Sequence, residues 1–386
     1  MQSFNTYYSN KRVLEKFILK NNIQDNKSLL IQIFTSFNKK KIIQKFLDDI
    51  NSLFSKAVIL GSTTDGEIMN GIVSVDKTVV NFTQFENTTI QVQSIQHIKN
   101  GYYSGRFLAK HLINKDTKLL IAMADGLNTN AEEFLKGIDS IDKNIKIVGG
   151  LAGDRAKFKK TMIFTKDTII KKGAVAVSLS GSSLYIHRDH SFNWQPIGKE
   201  LIITKAKDNI IYSIEGKSAV DTYQYYLGKK VADRLPQIGI EFPLITYRDG
   251  LAIARAVLGR GEDGSLIFGA NFKSGDKVYF GYGNAFKILN KSQDIFKSTQ
   301  QAEPEAIFIY SCMARRRFMP NDIELETMPL NKIAPTVGLF TYGEFFTYEN
   351  QELLNQTMTI VAMSENRDRN KENNSKGRAP FPPNPQ

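Results

Sequence analysis

The chain has 386 residues, 41% hydrophobic and 23% charged, and a net charge of +12. That length buries a substantial core and suits two domains or one large composite, while the single cysteine excludes an intrachain disulfide framework and a cysteine-cluster zinc site. The positive charge comes from scattered lysines with no nucleic-acid module beside them, so nucleic acid is not expected as a partner. No run reaches the roughly 20 apolar residues of a membrane span. The N-terminal stretch lacks the apolar centre of a signal peptide, and a cytoplasmic location is expected.

In chain order, residues 1–26 read as a polar and aromatic extension with a short helix over 12–19. Apolar strands at 29–34 and 57–60 flank a helix over 40–54. Its Ile42, Ile43, Phe46, Leu47, Ile50, Leu53 and Phe54 share one face at helical spacing. Alternating strands follow at 72–75, 78–82 and 88–92 and read as an antiparallel meander. A helix over 105–113 turns Phe107, Leu108 and Leu112 inward, with His111 at the edge of that face. Strands at 119–123 and 145–148 flank another helix, over 132–141, and a second meander is read at 162–165, 168–170 and 174–179. Trp194, Pro196 and Gly198 then break regular structure. Beyond them come strands at 201–204, 210–214, 244–247, 253–257, 265–268 and 278–283, and helices over 218–227 and 294–301. Strands at 306–310, 338–345 and 358–363 close the fold. From 365 the chain is rich in Asn, charge and Pro, and disorder is expected.

Three times, a buried strand ends in an exit loop, a connecting segment follows, and a second strand breaks into a glycine turn. The exit loops fall at 35–38, 124–127 and 311–317, and the turns at 61–67, 149–154 and 338–344. We read an internal repeat of strand, loop, helix, strand, glycine turn and hairpin, too irregular in period for a solenoid. The expected class is α/β: bilobal, with twisted mixed β-sheets flanked by helices.

Exit loops of α/β proteins are where ligands bind. Here Ser311, Cys312, Arg315, Arg316 and Arg317 follow a buried strand directly. Gly61, Gly150 and Gly343 allow close approach to backbone, and Asp65, Glu67, Asp154, Tyr342 and Glu344 stand in or beside the turns. If loops and turns meet, the arginines suit a carboxylate or phosphate and the acids an ammonium group. That describes a site for an amino-acid-like zwitterion between the lobes; the alternative is that the acids pair with the arginines structurally. A cationic neighbourhood would activate Cys312 as a nucleophile, but no histidine lies near it in sequence, and a lone buried thiol behaves as a small hydrophobe. No Walker loop, Gly-x-Ser-x-Gly elbow or His-Glu-x-x-His pair is present, so an enzyme is not expected. If 185–190 is extended, His187 and Asp189 share one face and His190 takes the other, a poor spacing for joint chelation.

Four motifs occur in order: VGGLAGD at 148–154, WQPIG at 194–198, SCMARRR at 311–317 and GLFTYGEF at 338–345. With these the chain resembles the FIST family over roughly residues 27–364. The resemblance implies a FIST N-type domain over 27–190 and a FIST C-type domain over 191–364, together forming a bacterial small-ligand sensor in signal transduction. The chain is also similar to haem-based nitric-oxide sensors of that family, which act on a histidine kinase or cyclic-di-GMP enzyme. That likeness implies haem as a cofactor and His190 or His187 as its axial ligand, since a neutral imidazole ligates haem iron. The family's usual output domains are absent from these residues. The resemblance therefore implies a separate signalling partner, whether a histidine kinase, a cyclic-di-GMP enzyme or a chemoreceptor-type protein. Three readings result: a sensor of an amino-acid-like metabolite, a haem sensor, and a thiol-dependent enzyme using Cys312.

Overall fold

A computed structural model describes residues 1–96 and 100–365 of the chain. The tail expected to be disordered lies outside the described residues except for Glu365. That residue is buried, and its carboxylate accepts from the amides of Glu86 at 2.7 Å and Asn87 at 3.0 Å.

One order of elements occurs three times. The first unit holds β1 (Gln2–Tyr7), α1 (Lys11–Lys20), β2 (Leu29–Thr35), α2 (Lys40–Leu53), β3 (Val58–Thr63), the hairpin β4 (Glu67–Met69) and β5 (Ile72–Ser74), and β6 (Thr78–Gln84). The second holds β7 (Thr89–Gln96), α3 (Gly101–Leu112), β8 (Thr117–Ala124), α4 (Ala131–Asp139), β9 (Lys146–Leu151), the hairpin β10 (Ile163–Phe164) and β11 (Ile169–Ile170), and β12 (Gly173–Ser180). The third opens with β13 (Tyr185–Ser191) and then admits an insertion. The insertion comprises β14 (Gln195–Lys207), β15 (Ile210–Ile214), β16 (Lys217–Ser218), α5 (Ala219–Leu227), α6 (Lys229–Ala232), β17 (Leu244–Arg248), β18 (Leu251–Arg255), β19 (Val257–Arg260), β20 (Leu266–Phe268) and β21 (Lys277–Tyr282). The third unit resumes with α7 (Ala285–Gln301), β22 (Ala306–Cys312), α8 (Met313–Phe318), α9 (Glu324–Asn331), β23 (Thr336–Thr341), the hairpin β24 (Glu344–Thr347) and β25 (Gln351–Leu354), and β26 (Met358–Ser364).

Each unit builds a six-stranded sheet, and no unit finishes its own. The strand orders are β1-β6-β2-β3-β10-β11, β7-β12-β8-β9-β24-β25 and β13-β26-β22-β23-β4-β5. The hairpin of unit one completes the sheet of unit three, that of unit two completes unit one, and that of unit three completes unit two. The strands read as meanders are therefore divided: β5, β6 and β7 lie in three different sheets. Alternation reports which faces are covered and is silent on which strand supplies the hydrogen bonds. Strand β1, inside the stretch read as an extension, pairs antiparallel with β6 from Gln2 opposite Gln84 to Tyr7 opposite Val79. It has no apolar run to announce it.

Parallel pairs β2/β3, β8/β9 and β22/β23 form the centre of each sheet, joined by helical crossovers. Side chains alternate between two cores. On β2, Leu30 and Phe34 enter a core shared by all three units, while Leu29, Ile31 and Ile33 face α1 and α2. On β8, Leu119, Ile121 and Met123 enter the shared core, and Leu120, Ala122 and Ala124 face α3 and α4. On β22, Phe308 and Tyr310 go inward, and Ile307 and Ile309 face α7 and α9. Cover on both faces is why these strands read as continuous apolar runs. The insertion forms an eight-stranded sheet with its own core around Tyr223, Phe268 and Phe280, which makes the second lobe. Among the described residues no helix is long and apolar enough to cross a membrane.

Helices α3 and α4 meet through glycine. A Cβ at Gly105 would lie 1.8 Å from the Phe134 carbonyl oxygen, and one at Gly137 would lie 2.0 Å from that of Tyr102. Both obstacles are backbone, so the helices must separate to admit a methyl group. Gly105→Ala is expected to lower stability by about 3 kcal/mol, read as a lower thermal midpoint; an unchanged midpoint would mean the crossing has slack.

Candidate functional site

The three glycine turns bond to one another in a closed ring. The Asp65 amide donates to the Phe340 carbonyl at 2.9 Å, and the Phe340 amide to that of Gly66 at 2.8 Å. Gly153 donates to Thr63 at 3.0 Å and Arg155 to Thr64 at 3.2 Å. Leu151 donates to Gly343 at 2.8 Å, and Tyr342 to Leu151 at 3.0 Å. The exit loops join through Thr64 donating to Thr35 at 3.0 Å and Ala152 to Ala124 at 2.8 Å. Backbones this close exclude side chains: a Cβ at Gly150 would sit 2.4 Å from the Gly343 carbonyl oxygen. Gly61 has a different task, making room for the Phe164 ring in the outer core of unit one.

Most of the charges at the ring bind each other. Asp65 is fully buried and pairs with Arg316 at 2.6 Å and Arg317 at 3.2 Å. Arg315 is fully buried, and all five of its N–H donors have partners. Nε donates to Glu326 Oε2 at 3.0 Å, Nη1 to the carbonyls of Ser191 and Gln356 at 3.1 Å each, and Nη2 to Ser191 Oγ at 3.0 Å and to Glu326 Oε1. A ligand carboxylate finds no free donor there. Asp154 accepts from the amides of Phe158, Lys159 and Lys160, each at 2.8 Å, and from the Tyr342 hydroxyl. Of the two roles the sequence left open for these groups, the structure displays internal pairing.

Two glutamates are buried without a cation. Glu67 Oε1 accepts from Ser36 Oγ at 2.6 Å and Thr64 Oγ1 at 2.5 Å, and its Oε2 has no partner. Burial pushes this carboxyl up to about 7 despite the two hydroxyls. In unit three, Thr341 Oγ1 donates to Glu344 Oε1 at 2.5 Å, Glu344 Oε2 has no partner, and burial pushes this carboxyl well up. Cys312 stands beside it. Burial, and then the Glu344 carboxylate, push the thiol far up, against the smaller pull of Arg315. The expected activation by arginine is outweighed by desolvation. The Ser311 hydroxyl, next along the strand, is buried with no hydrogen-bond partner.

A cavity of about 240 Å³ opens where the ring meets the insertion. Gly126 and Leu127 come from the exit of β8, Leu151 and Tyr342 from the ring, and Cys312, Met313 and Ala314 from the exit of β22. The insertion supplies Ile240, Ala256, Leu258 and Gly269; Phe158, Asn355 and Gln356 complete the wall. Leu258, Phe158 and Leu127 form an exposed apolar rim, and Phe158 stacks on Tyr342 with centroids 4.8 Å apart. Gln356 Nε2 donates to the Ile240 carbonyl at 2.7 Å, which fixes the orientation of the amide, and its buried Oε1 has no partner. Of the residues singled out in the sequence, Cys312 and Tyr342 line this cavity. Gly150, Asp154, Gly343, Glu344 and Arg315 support its wall, while Gly61, Asp65, Ser311 and Arg316 do not line it. Gln356 and the residues from the insertion carried no sequence signal, being ordinary apolar, small or amide side chains.

A larger polar cleft of about 630 Å³ separates α4 from the insertion. Beside it, Glu132 binds Arg248 at 2.9 Å, Arg255 at 3.3 Å and the Asn271 amide at 3.1 Å, which ties the insertion to unit two.

His187 and His190 lie on opposite faces of β13. Nε2 of His187 is 3.3 Å from Ser298 Oγ on α7, and the His190 ring packs on Phe346 with centroids 5.0 Å apart. Burial pushes both imidazoles down. Neither lines the cavity or the cleft. Among the described residues no group of three or more His, Cys, Asp or Glu side chains is arranged to hold a metal ion.

Glu67 gives this ring a pH dependence with a definite sign. Its folded pKa is raised, so its contribution is intact below the ordinary carboxylate value of 4.5 and is lost as pH rises through about 7. The loss is about 3 kcal/mol for a shift of this size. Glu67→Gln preserves the acceptor for Ser36 and Thr64 and stays neutral. Its thermal midpoint should match the parent at pH 5 and exceed it at pH 8; a gap that does not grow with pH would mean Glu67 titrates as an ordinary carboxylate.

A family model described as the FIST N domain matches residues 29–217, and one described as the FIST C domain matches residues 219–347. The two matches meet inside the insertion. An uncharacterized protein of Methanocaldococcus jannaschii is 21% identical over 315 residues, which is 75% of this chain and 60% of that protein's length. The chain thus spans less than two thirds of that relative. Among solved structures, a cyanuric acid hydrolase from A. caulinodans aligns over 94% of this chain and 99% of its own, at 9% identity and a TM-score of 0.33, a likeness too slight to carry an argument. The domain matches cover the whole insertion and most of the three repeated units, and the chain belongs to the FIST family of signal-transduction sensors.

Proposed function

We propose that this chain is a non-catalytic sensor whose input site is the 240 Å³ cavity, and that it regulates a separate signalling protein. The observation that carries the reading is the composition of the wall. Core and insertion each contribute to one apolar cavity, beside an amide oxygen with no partner. A ligand there touches both lobes at once. It favours the lobe arrangement in which both walls are in place, and its effect on a partner equals its difference in affinity between arrangements. The partner is a histidine kinase, a cyclic-di-GMP enzyme or a chemoreceptor-type protein, met in the cytoplasm.

The three starting readings fare differently. An amino-acid zwitterion needs a free cation and a free carboxylate at one rim. Arg315, Arg316, Asp65 and Asp154 already have internal partners. Selection by the cavity therefore rests on shape and hydrogen bonding more than on charge. The haem reading has no support from the placement of His187 and His190. For the thiol enzyme, the group beside Cys312 is the Glu344 carboxyl, which burial pushes well up, and burial also holds the thiol protonated.

Two measurements follow. Cys312 should resist iodoacetamide at pH 7.5 in the native protein and react on denaturation; rapid native alkylation would revive the thiol enzyme. Native mass spectrometry of protein exposed to a metabolite extract should show a small adduct that is absent from Leu258→Trp, whose indole blocks the rim. Ligand at a hundred times its Kd should add about 2.7 kcal/mol of stability. Absence of any adduct, or an adduct indifferent to Leu258→Trp, would remove the cavity as the input site.

A further inference from the structure

We propose that the free edge of β7 is a docking site for an extended, acidic segment of a separate protein, which adds to the sheet of unit two as a strand. The proposal rests on the reading that the chain acts through a separate protein, and adds the surface that this protein meets.

The opening strands β1, β7 and β13 are edge strands of their sheets, and register makes them equivalent. Asn5 stands in one row with Asn81, Gln32 and Leu60. Val92 stands in a row with Val177, Ile121 and Val148, and Arg188 in a row with Val361, Phe308 and Val337. Leu60, Val148 and Val337 each precede the first glycine of a turn, so the three rows correspond. From this position two of the edges are tied to the neighbouring sheet. Asn5 Nδ2 donates to Asn70 Oδ1 at 2.8 Å and to the Thr336 carbonyl at 3.1 Å. Arg188 Nη1 donates to the Thr347 carbonyl at 2.9 Å. On β7 the position is Val92, whose side chain has no donor to give.

A groove of about 470 Å³ lies at that third junction. Both faces of β7 line it. Ile90 and Val92 belong to the face packed on the shared core, and Gln91 and Gln93 to the opposite one. The groove therefore follows the edge of the strand. Val58, which packs on the shared core, stands on one side with Lys56 and Lys27. Leu112, in the outer core of unit two, stands on the other with His111. Only Ile90 of β7 is buried, whereas every residue of its neighbour β12 is. Among the described residues no strand pairs with the second edge of β7. Natural edges are usually blunted by charge, proline or cover; Thr89–Gln96 contains neither a charged residue nor a proline.

The occupant follows from these walls. A free edge offers main-chain donors and acceptors, which an extended segment satisfies while its alternate side chains enter the flanking pockets. Charge then selects the segment. Lys27 and Lys56 line the groove with no acidic residue among them. Both are exposed, and among the described residues neither forms an ion pair. Asp25 leaves them free, because its carboxylate is held by the amides of Ser55 at 2.8 Å, Lys56 at 2.9 Å and Ala57 at 3.1 Å. Carboxylates on the added strand meet the two ammonium groups, and its apolar side chains meet Val58, Val92 and Leu112. A second copy pairing edge to edge would instead bring the lysines of both copies to one seam, where like charges repel.

The test is fluorescence anisotropy of a labelled, end-blocked peptide of about six residues, the usual length of a strand, that alternates valine with glutamate and is titrated with the full chain. It should bind. The same peptide with glutamine for glutamate should bind about fivefold more weakly, as two exposed ion pairs allow. Lys27→Gln combined with Lys56→Gln should weaken the glutamate peptide by the same factor and leave the glutamine peptide unchanged. N-methylation of alternate residues removes the donors on one edge of the peptide and keeps its side chains; of the two alternating sets, one should abolish binding and the other preserve it. Val92→Arg, which copies the tie of unit three, should close the groove and abolish binding with the thermal midpoint unchanged. Equal affinity for the glutamate and glutamine peptides overturns the acidic class. Undiminished binding of both methylated peptides overturns strand addition. Failure of either unmethylated peptide to bind the wild type removes the surface. A wild type that sediments as a dimer and a Val92→Arg variant that sediments as a monomer assign the edge to a second copy and overturn the separate partner. Each of these failures leaves the sensor reading in place, because that reading is judged by the adduct sensitive to Leu258→Trp.

Discussion

Reciprocal completion of the sheets governs this molecule. After each parallel pair the chain must leave its own sheet, cross to another unit and form a hairpin there. The crossing points are the glycine turns, and three crossings at one place leave room for little but backbone. That accounts for Gly150 and Gly153, where a Cβ would lie 2.4 Å and 2.6 Å from atoms of a neighbouring turn. It also accounts for the polar residues near a hydrophobic core. Backbone amides and carbonyls buried in the ring need partners, and the turns supply them to one another; the amides of Gly66 and Gly343 donate instead to the hydroxyls of Thr64 and Thr341. No unit can form a complete sheet by itself, so the folded state rests on contacts between residues far apart in sequence, an arrangement associated with slow folding.

Three similar units surround the ring, and they have diverged where it matters. In unit one, Ser36, Thr64 and Glu67 close on each other by direct hydrogen bonds. In unit two, Asp154 gathers the amides of the loop that follows it. In unit three, the position facing the glutamate is Cys312, a weaker donor than a hydroxyl, beside the Glu344 carboxyl. The cavity lies there, and the insertion lies over it. A near-symmetric scaffold thus yields one asymmetric site, through a change of hydroxyl to thiol and the arrival of a second sheet.

The sequence announced what depends on local pattern. Strands β2, β8 and β22 are apolar throughout because both faces are covered, and the helix of the first crossover shows its face through Ile43, Phe46, Leu47 and Ile50. It could not announce partnership. Nothing in residues 72–92 says that consecutive strands join three sheets. Helix α8 is six residues with three arginines, and α9 contains Pro329, so neither presents an amphipathic repeat. Glu326 was hidden with α9, and with it the ion pair that occupies Arg315. Helix α7 begins at Ala285, nine residues before the start expected at Asp294, because its first turns mix an exposed Phe286 with the buried Ile288 and show no clean apolar face. Gln356 matters only through what surrounds it, a property of tertiary structure.

The cavity wall is joined to the link between the lobes by the backbone itself. Gln356 follows Asn355, whose Oδ1 receives Arg255 Nη1 at 2.9 Å; the same nitrogen reaches the Leu353 carbonyl at 2.9 Å, and Nη2 reaches Glu132 at 3.3 Å. Glu132 lies in the first turn of α4. Gln356 thus lies one residue from the amide that holds the guanidinium fixing the insertion to unit two. Buried ion pairs of this kind add little net stability, because desolvation offsets most of the attraction, yet breaking one partner away is costly. Such a contact defines where the insertion sits more than how tightly it is held. For a sensor that is the useful property.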